Sequence, residues 1–306
     1  MKWIDLARVY HGRSDGAPFR NVLDLALKAV ASGAIVFPLS STHYVETLKR
    51  RDLGARSRLG ETMAALSRFD TLADGHVILD HELRQALSKH FGGSVPVGEL
   101  RLLGRGHNHA FGHPDGNPYQ PQGSPLWLMH EEMKLAGMLS THLDAARAES
   151  AEVLAPFVEA LHRRDRFDSR YRVTDDERRR LIRIGLLQEQ LPRVARILQE
   201  ANPSKELCHS LPSDWYWELF DELSVLVVDL ELQNARRANQ ELPRLATDIF
   251  DMGTLSAAIV YSGLVVTERY WTHVARSTGL DSRFGTVVLS RLQDLEPALE
   301  EAIAAA

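Results

Sequence analysis

Four acidic residues occupy positions where a carboxylate can bind a metal ion. Asp248 and Asp251 lie at the start of an apolar helical stretch, and Glu268 follows the apolar run at residues 264–267. Ligands of open α/β sheets bind just beyond the carboxyl ends of the strands, which is where Glu268 is expected. Glu46 lies on a second strand-to-helix turn. Because carboxylate oxygens are hard ligands, the four acids predict a Mg²⁺ or Mn²⁺ site rather than a zinc site.

Each of these acids could also have an ordinary structural role. Asp248 can cap the helix that follows it, and Asp251 in its first turn favours the helix dipole. Glu46 alone is typical of a solvated helix residue. Glu268 is harder to account for this way, since turn residues after a strand are usually Gly, Asn or Asp. We therefore predict Glu46, Asp251 and Glu268 as catalytic metal ligands, and Asp248 as a helix cap with an optional role in the same site.

The elements that must position these acids are read from the spacing of apolar residues. A buried strand is predicted at residues 34–37, a short strand or extended segment at 76–79, and two further strands at 264–267 and 286–289. Helical spacing lies between the last two strands, and strand–helix–strand is the unit that builds a parallel sheet. Further helices are predicted at residues 3–10, 22–33, 43–50, 63–69, 82–90 and 292–304.

The middle of the chain differs from both ends. Residues 91–125 are rich in Gly, Pro and His, and 104–117 reads as a loop. Residues 126–239 are almost entirely helical in pattern, and Pro192 is expected to separate helices at 175–191 and 191–201. We predict an α/β core formed by residues 1–90 and 230–306, with residues 91–229 as a helical insertion that caps it.

Composition narrows the class of protein. The net charge is −5 with a pI near 6.2, so any nucleic-acid binding would have to use a local basic patch. No run of 18 apolar residues appears, the start lacks the apolar core of a signal peptide, and Cys208 is the single cysteine. These features predict a cytoplasmic protein with no membrane span and no internal disulfide.

Three blocks of sequence carry a resemblance to a known family. They read Phe-Pro-Leu-Ser-x-x-His-Tyr-x-Glu-Thr at residues 37–47, Leu-Ser-x-Ala-Ile-x-Tyr at 255–261, and Val-Val-Thr-Glu-Arg-Tyr-Trp at 265–271. In this order the blocks resemble the PIN-like nuclease superfamily, and within it a bacterial group of PIN-like proteins, over about residues 1–90 and 230–306. The resemblance implies a small parallel sheet flanked by helices and a carboxylate cluster that binds Mg²⁺ or Mn²⁺.

The activity implied by the resemblance is metal-dependent cleavage of RNA, with RNA as substrate and an antitoxin or defence protein as a second kind of partner. Two alternatives stay open. One is a non-catalytic protein of the same fold that binds RNA or a protein. The other is a small-molecule phosphohydrolase that uses the same carboxylates.

The sequence departs from the family at its start. The resemblance implies a central first strand that ends in an Asp, whereas residues 3–10 have helical spacing. We expect this strand and its Asp to be missing from the sequence, with Asp5 as a doubtful substitute ligand.

Residues predicted to contact substrate surround the acids: His43, Ser40, Thr267, Arg236 and Arg237. A separate group, His107, His109 and His113, matches no standard zinc spacing. An ordinary surface loop is expected there, with a transition-metal or phosphate site as the alternative.

Overall fold

The computed structural model describes residues 2–113, 121–137, 159, 163–164, 166–167, 170–204, 214–239 and 247–306. Most of these residues are helical. The helices are α1 (Trp3–Tyr10), α2 (Arg20–Ser32), α3 (Ser41–Leu48), α4 (Leu53–Ser67), α5 (Gly75–His90), α6 (Gly106–Ala110), α7 (Pro125–Leu135), α8 (Asp175–Ala201), α9 (Trp215–Glu222), α10 (Ser224–Ala238), α11 (Thr247–Tyr261), α12 (Arg269–Ser277), α13 (Leu280–Phe284) and α14 (Glu296–Ala305), with 3₁₀ turns at Ser14–Phe19 and Leu292–Leu295.

Strands form two small sheets in the described part of the chain. β1 (Asp70–Leu72) pairs antiparallel with β2 (Leu103–Arg105), and β3 (Leu264–Val266) pairs parallel with β4 (Val287–Leu289). Because α12 and α13 connect β3 to β4, the predicted strand–helix–strand unit at the C-terminal end is confirmed. The protein is α/β and mostly helical, with small sheets.

Two strand predictions were wrong. Residues 34–38 belong to no strand, and only Leu39 makes a parallel bridge to Thr71, with backbone hydrogen bonds from Leu39 N–H to Asp70 and from Leu72 N–H to Leu39. Residues 76–79 form the first turn of α5. The Asp74 carboxylate accepts the His76 N–H at 2.8 Å and so starts a helix where the apolar run alone suggested extended chain.

Regular structure also replaces part of the predicted loop at 104–117. Gly104 and Arg105 lie in β2, and α6 follows directly, while residues 114–120 lie outside the described part. In the middle of the chain, α8 runs unbroken through Pro192, contrary to the predicted break. Its buried face keeps a helical spacing on both sides of the proline, so packing holds the helix together.

Apolar clusters tie the two ends of the chain to its middle. One cluster under α1, α2 and α4 includes Leu39 and Val266. A second joins α5 to α8, α9 and α10, and a third joins α10 and α11 to β3 and α12. The predicted boundary at 229/230 falls inside α10. Within the described residues, no helix is both long and apolar enough to cross a bilayer.

Candidate functional site

Glu268 stands at the carboxyl end of β3, as its position in the sequence predicts. It is the N-cap residue of α12, and its carbonyl oxygen accepts hydrogen bonds from the Thr272 N–H at 2.9 Å and hydroxyl at 3.0 Å. The preceding Thr267 N–H donates to Leu289 across the sheet at 2.9 Å. The Glu268 side chain is exposed and has no hydrogen-bond or ion-pair partner among the described residues. Backbone contacts thus fix the residue and leave its carboxylate open to solvent.

Asp251 lies on α11, one turn before a contact that joins this helix to α3. The hydroxyl oxygens of Thr254 and Thr42 are 2.5 Å apart, so the two helices meet there. Thr42 lies one turn before Glu46 on α3, and Asp251 itself is exposed. The Asp248 side chain lies outside the described residues.

Glu46 and its neighbours hold α3 together locally. Glu46 is half-exposed and forms an ion pair with Lys49 in the next turn. The Ser40 N–H donates to Nδ1 of His43 at 2.8 Å, which places the imidazole over the start of the helix. Burial lowers the pKa of His43 to about 3, so the ring is neutral and serves as an acceptor. Trp3 packs edge-on against the same ring at 5.7 Å between centroids.

Asp5, Arg236 and Arg237 are less accessible or already paired within their own helices. Asp5 on α1 accepts a hydrogen bond from Arg8 at 3.1 Å. Arg236 and Arg237 are 4% and 7% exposed on α10 and are thus largely shielded from solvent. Within the described ranges, no group of three or more His, Cys, Asp or Glu side chains lies close enough together to hold a metal ion. The joint site of Glu46, Asp251 and Glu268 therefore stays a prediction.

The histidines after β2 make packing contacts. Nδ1 of His109 lies 2.8 Å from the Thr71 hydroxyl, and its Nε2 lies 2.9 Å from the Arg101 carbonyl oxygen. The ring also covers Gly104, where a Cβ atom would fall 2.4 Å from a ring carbon. His107 stacks on Phe111 with 4.3 Å between centroids. Of the predicted group, His113 has no such contact in the described part.

A charged cavity of about 620 Å³ lies between α5 and α8, and the sequence did not predict it. Arg84 donates to Asp80 at 2.8 Å and to Glu200 at 2.6 Å, while Arg196 donates to the other oxygen of Asp80 and to Glu200 at 2.8 Å. These groups form a closed ring of two guanidiniums and two carboxylates. The i,i+4 pairs Asp80–Arg84 and Arg196–Glu200 were the available signal in the sequence.

No protein-family model, no curated protein and no solved structure matches this chain. The PIN-like resemblance therefore remains a prediction that rests on three short sequence blocks. What the protein does must be inferred from its own side chains.

Proposed function

We propose that this protein is a cytoplasmic, metal-dependent ribonuclease of PIN-like fold, in which Glu46, Asp251 and Glu268 bind Mg²⁺ or Mn²⁺. The observation that carries the proposal is Glu268. Its carboxylate stands at the carboxyl end of a parallel strand, exposed and without a partner among the described residues. An acid held at a strand end by its backbone alone is available to a ligand.

The contact between α3 and α11 supports the same proposal. It brings the helices that carry Glu46 and Asp251 together through Thr42 and Thr254. The donor chemistry fits a hard cation, although the described side chains do not gather three carboxylates into one group. When bound, such a metal would activate water for phosphodiester hydrolysis. This chain would contribute the carboxylates and the rigid strand end that holds one of them.

The proposal is tested by incubating the purified full chain with single-stranded and structured RNA in Mn²⁺, in Mg²⁺ and in EDTA. We expect cleavage that depends on metal and falls by roughly a hundredfold or more in Asp251→Asn and Glu268→Gln, because each removes a ligand charge. Glu301→Gln, an exposed acid on α14, is the matched control and should cleave as the wild type does. Absence of cleavage by the wild type, or equal cleavage by Asp251→Asn, contradicts the proposal.

A non-catalytic module of the same fold is the second candidate. The observation that favours it is that the described acids do not form a group of three, and that Glu46 already pairs with Lys49. This candidate predicts RNA or protein binding that is unchanged by EDTA and by Asp251→Asn. A preference for small phosphodiesters over RNA would instead indicate the phosphohydrolase alternative.

A further inference from the structure

Arg193 adds a third guanidinium to the cavity between α5 and α8, and its only ion pair within 4 Å in the described part of the chain is a long one to Asp80. Its guanidinium donates to the Gln190 side-chain oxygen at 3.0 Å and to Nδ1 of His76 at 3.1 Å, and both partners are neutral acceptors. The nearest carboxylate oxygen, on Asp80, is 3.9 Å away and already accepts from Arg196. The two carboxylates of the ring are thus shared by two other arginines.

This weakly paired charge is also partly removed from water. The Arg193 side chain is 21% exposed, and burial together with Arg196 lowers the pKa of its guanidinium, although Asp80 and Asp74 oppose the shift. A desolvated cation gains from any anion that reaches it, because charge-assisted hydrogen bonds are stronger away from bulk water. The cavity is therefore prepared for a negative group at Arg193.

The other residues that line the cavity indicate which chemical groups a ligand needs besides its negative charge. Val77 and Leu100 provide apolar surface, and Glu99 is an exposed carboxylate on the lining. Since Arg193 only donates, Nδ1 of His76 is the acceptor, and the neutral ring keeps its proton on Nε2 as a second donor. The Glu99 carboxylate repels an anion beside it and can accept hydrogen bonds from donors on the rest of the ligand.

We propose that this cavity binds a small phosphate monoester with a flat, donor-bearing body, such as a nucleoside monophosphate. Arg193 and His76 hold the phosphate, Val77 and Leu100 contact the body, and Glu99 accepts from its donors. A volume of about 620 Å³ is in the range of small-molecule sites. None of Glu46, Asp251 and Glu268 lines the cavity, so binding here can be measured separately from RNA cleavage.

Isothermal titration calorimetry of the full chain with adenosine 5′-monophosphate tests the proposal. We expect saturable binding that weakens by about tenfold to a hundredfold in Arg193→Gln, the loss expected for a hydrogen bond between charged groups. Arg193→Lys should retain part of the affinity, because the positive charge remains. It should not retain all of it, because an ammonium cannot donate the two parallel hydrogen bonds of a guanidinium. Arg180→Gln removes the same charge from an exposed position on the same helix and should bind like the wild type.

Three further measurements distinguish a monophosphate site from a general anion site, from a loss of fold and from an RNA site. Inorganic phosphate should compete weakly, because it lacks the body that contacts Val77 and Leu100. Circular dichroism and thermal unfolding of Arg193→Gln should match the wild type, so that lost binding reports lost contact. The proposal is overturned if the wild type does not bind adenosine 5′-monophosphate, if Arg193→Gln binds it equally well, or if only a single-stranded RNA oligomer binds and does so through Arg193.

Discussion

The acids around β3 and the charges on and around α5 differ in how much water reaches them. Glu268 and Asp251 are exposed, so water solvates their charges. Glu82, on α5, is 5% exposed and accepts hydrogen bonds from the Tyr261 hydroxyl at 2.7 Å and the Val225 N–H at 3.2 Å. An exposed carboxylate such as that of Glu268 is thus available to a ligand. A largely buried charge indicates a binding site where its ion pairs are long, as at Arg193.

Removing the buried Glu82 side chain should lower the stability of the protein more than any other change predicted here. Glu82→Ala leaves the Tyr261 hydroxyl and the Val225 N–H without an acceptor in a buried place, which should lower the free energy of unfolding by about 3 kcal/mol. Urea unfolding followed by circular dichroism measures this loss. Gln85→Ala, at an exposed position on the same helix, should change it by less than ~0.5 kcal/mol.

If Glu82→Ala loses no more unfolding free energy than Gln85→Ala, the Glu82 carboxylate is as well solvated as the exposed acids around β3. Glu82→Gln refines the test, because the amide keeps an acceptor for the Tyr261 hydroxyl. We expect this variant to lose less than half as much stability as Glu82→Ala.

Asp229 on α10 predicts a pH dependence of intermediate size. Burial is the main cause that raises its pKa from 3.8 to about 6, while the Gln233 amide donates to it at 2.9 Å and opposes the shift. The folded protein therefore favours the protonated carboxyl, and stability should fall as pH rises from about 4 to about 6. At neutral pH, Asp229→Asn should be more stable than the wild type by about 2 kcal/mol.

Urea unfolding between pH 4 and 7 measures this dependence. Asp24→Asn, an exposed acid on α2, is the control and should leave the slope unchanged. If Asp229→Asn unfolds with the same pH slope as the wild type, the carboxyl is solvated and belongs with the exposed acids.

Glu46 should give the smallest stability effect. Its ion pair with Lys49 lies on an exposed helix face, and such pairs contribute less than ~0.5 kcal/mol. Glu46→Gln should therefore unfold at nearly the wild-type urea midpoint while losing Mn²⁺-dependent RNA cleavage. If Glu46→Gln instead loses well above ~0.5 kcal/mol of stability and still cleaves RNA, Glu46 stabilises the fold and does not bind the metal.

Local patterns in the sequence predicted the part of the fold nearest Glu268. The apolar runs of β3 and β4 and the helices between them are short-range signals, and the position of Glu268 follows from them. β1 was missed because its three residues pair with Leu39 and with β2, and neither partner can be found from spacing alone. The cavity was missed for the same reason, since Arg196 and Asp80 are 116 residues apart.

The surroundings of the predicted site residues depend on both short-range and long-range contacts. Sequence position identified Glu268 and Asp251 as candidate ligands, and the structure adds that both are exposed. The meeting of α3 with α11 depends on Thr42 and Thr254, which are 212 residues apart. Ser40 and His43 were read as substrate contacts, but the structure shows their hydrogen bond at the start of α3, which the spacing of the two residues also allows.

The His109 ring over Gly104 has a consequence for how this protein can vary. A Cβ at position 104 would fall within 2.6 Å of three ring atoms, and the ring itself connects the Thr71 hydroxyl to the Arg101 carbonyl oxygen. A larger residue at position 104 therefore requires a smaller one at position 109. That exchange would remove the ring that contacts the Thr71 hydroxyl and the Arg101 carbonyl oxygen. Substitutions at the two positions should be tolerated together or not at all.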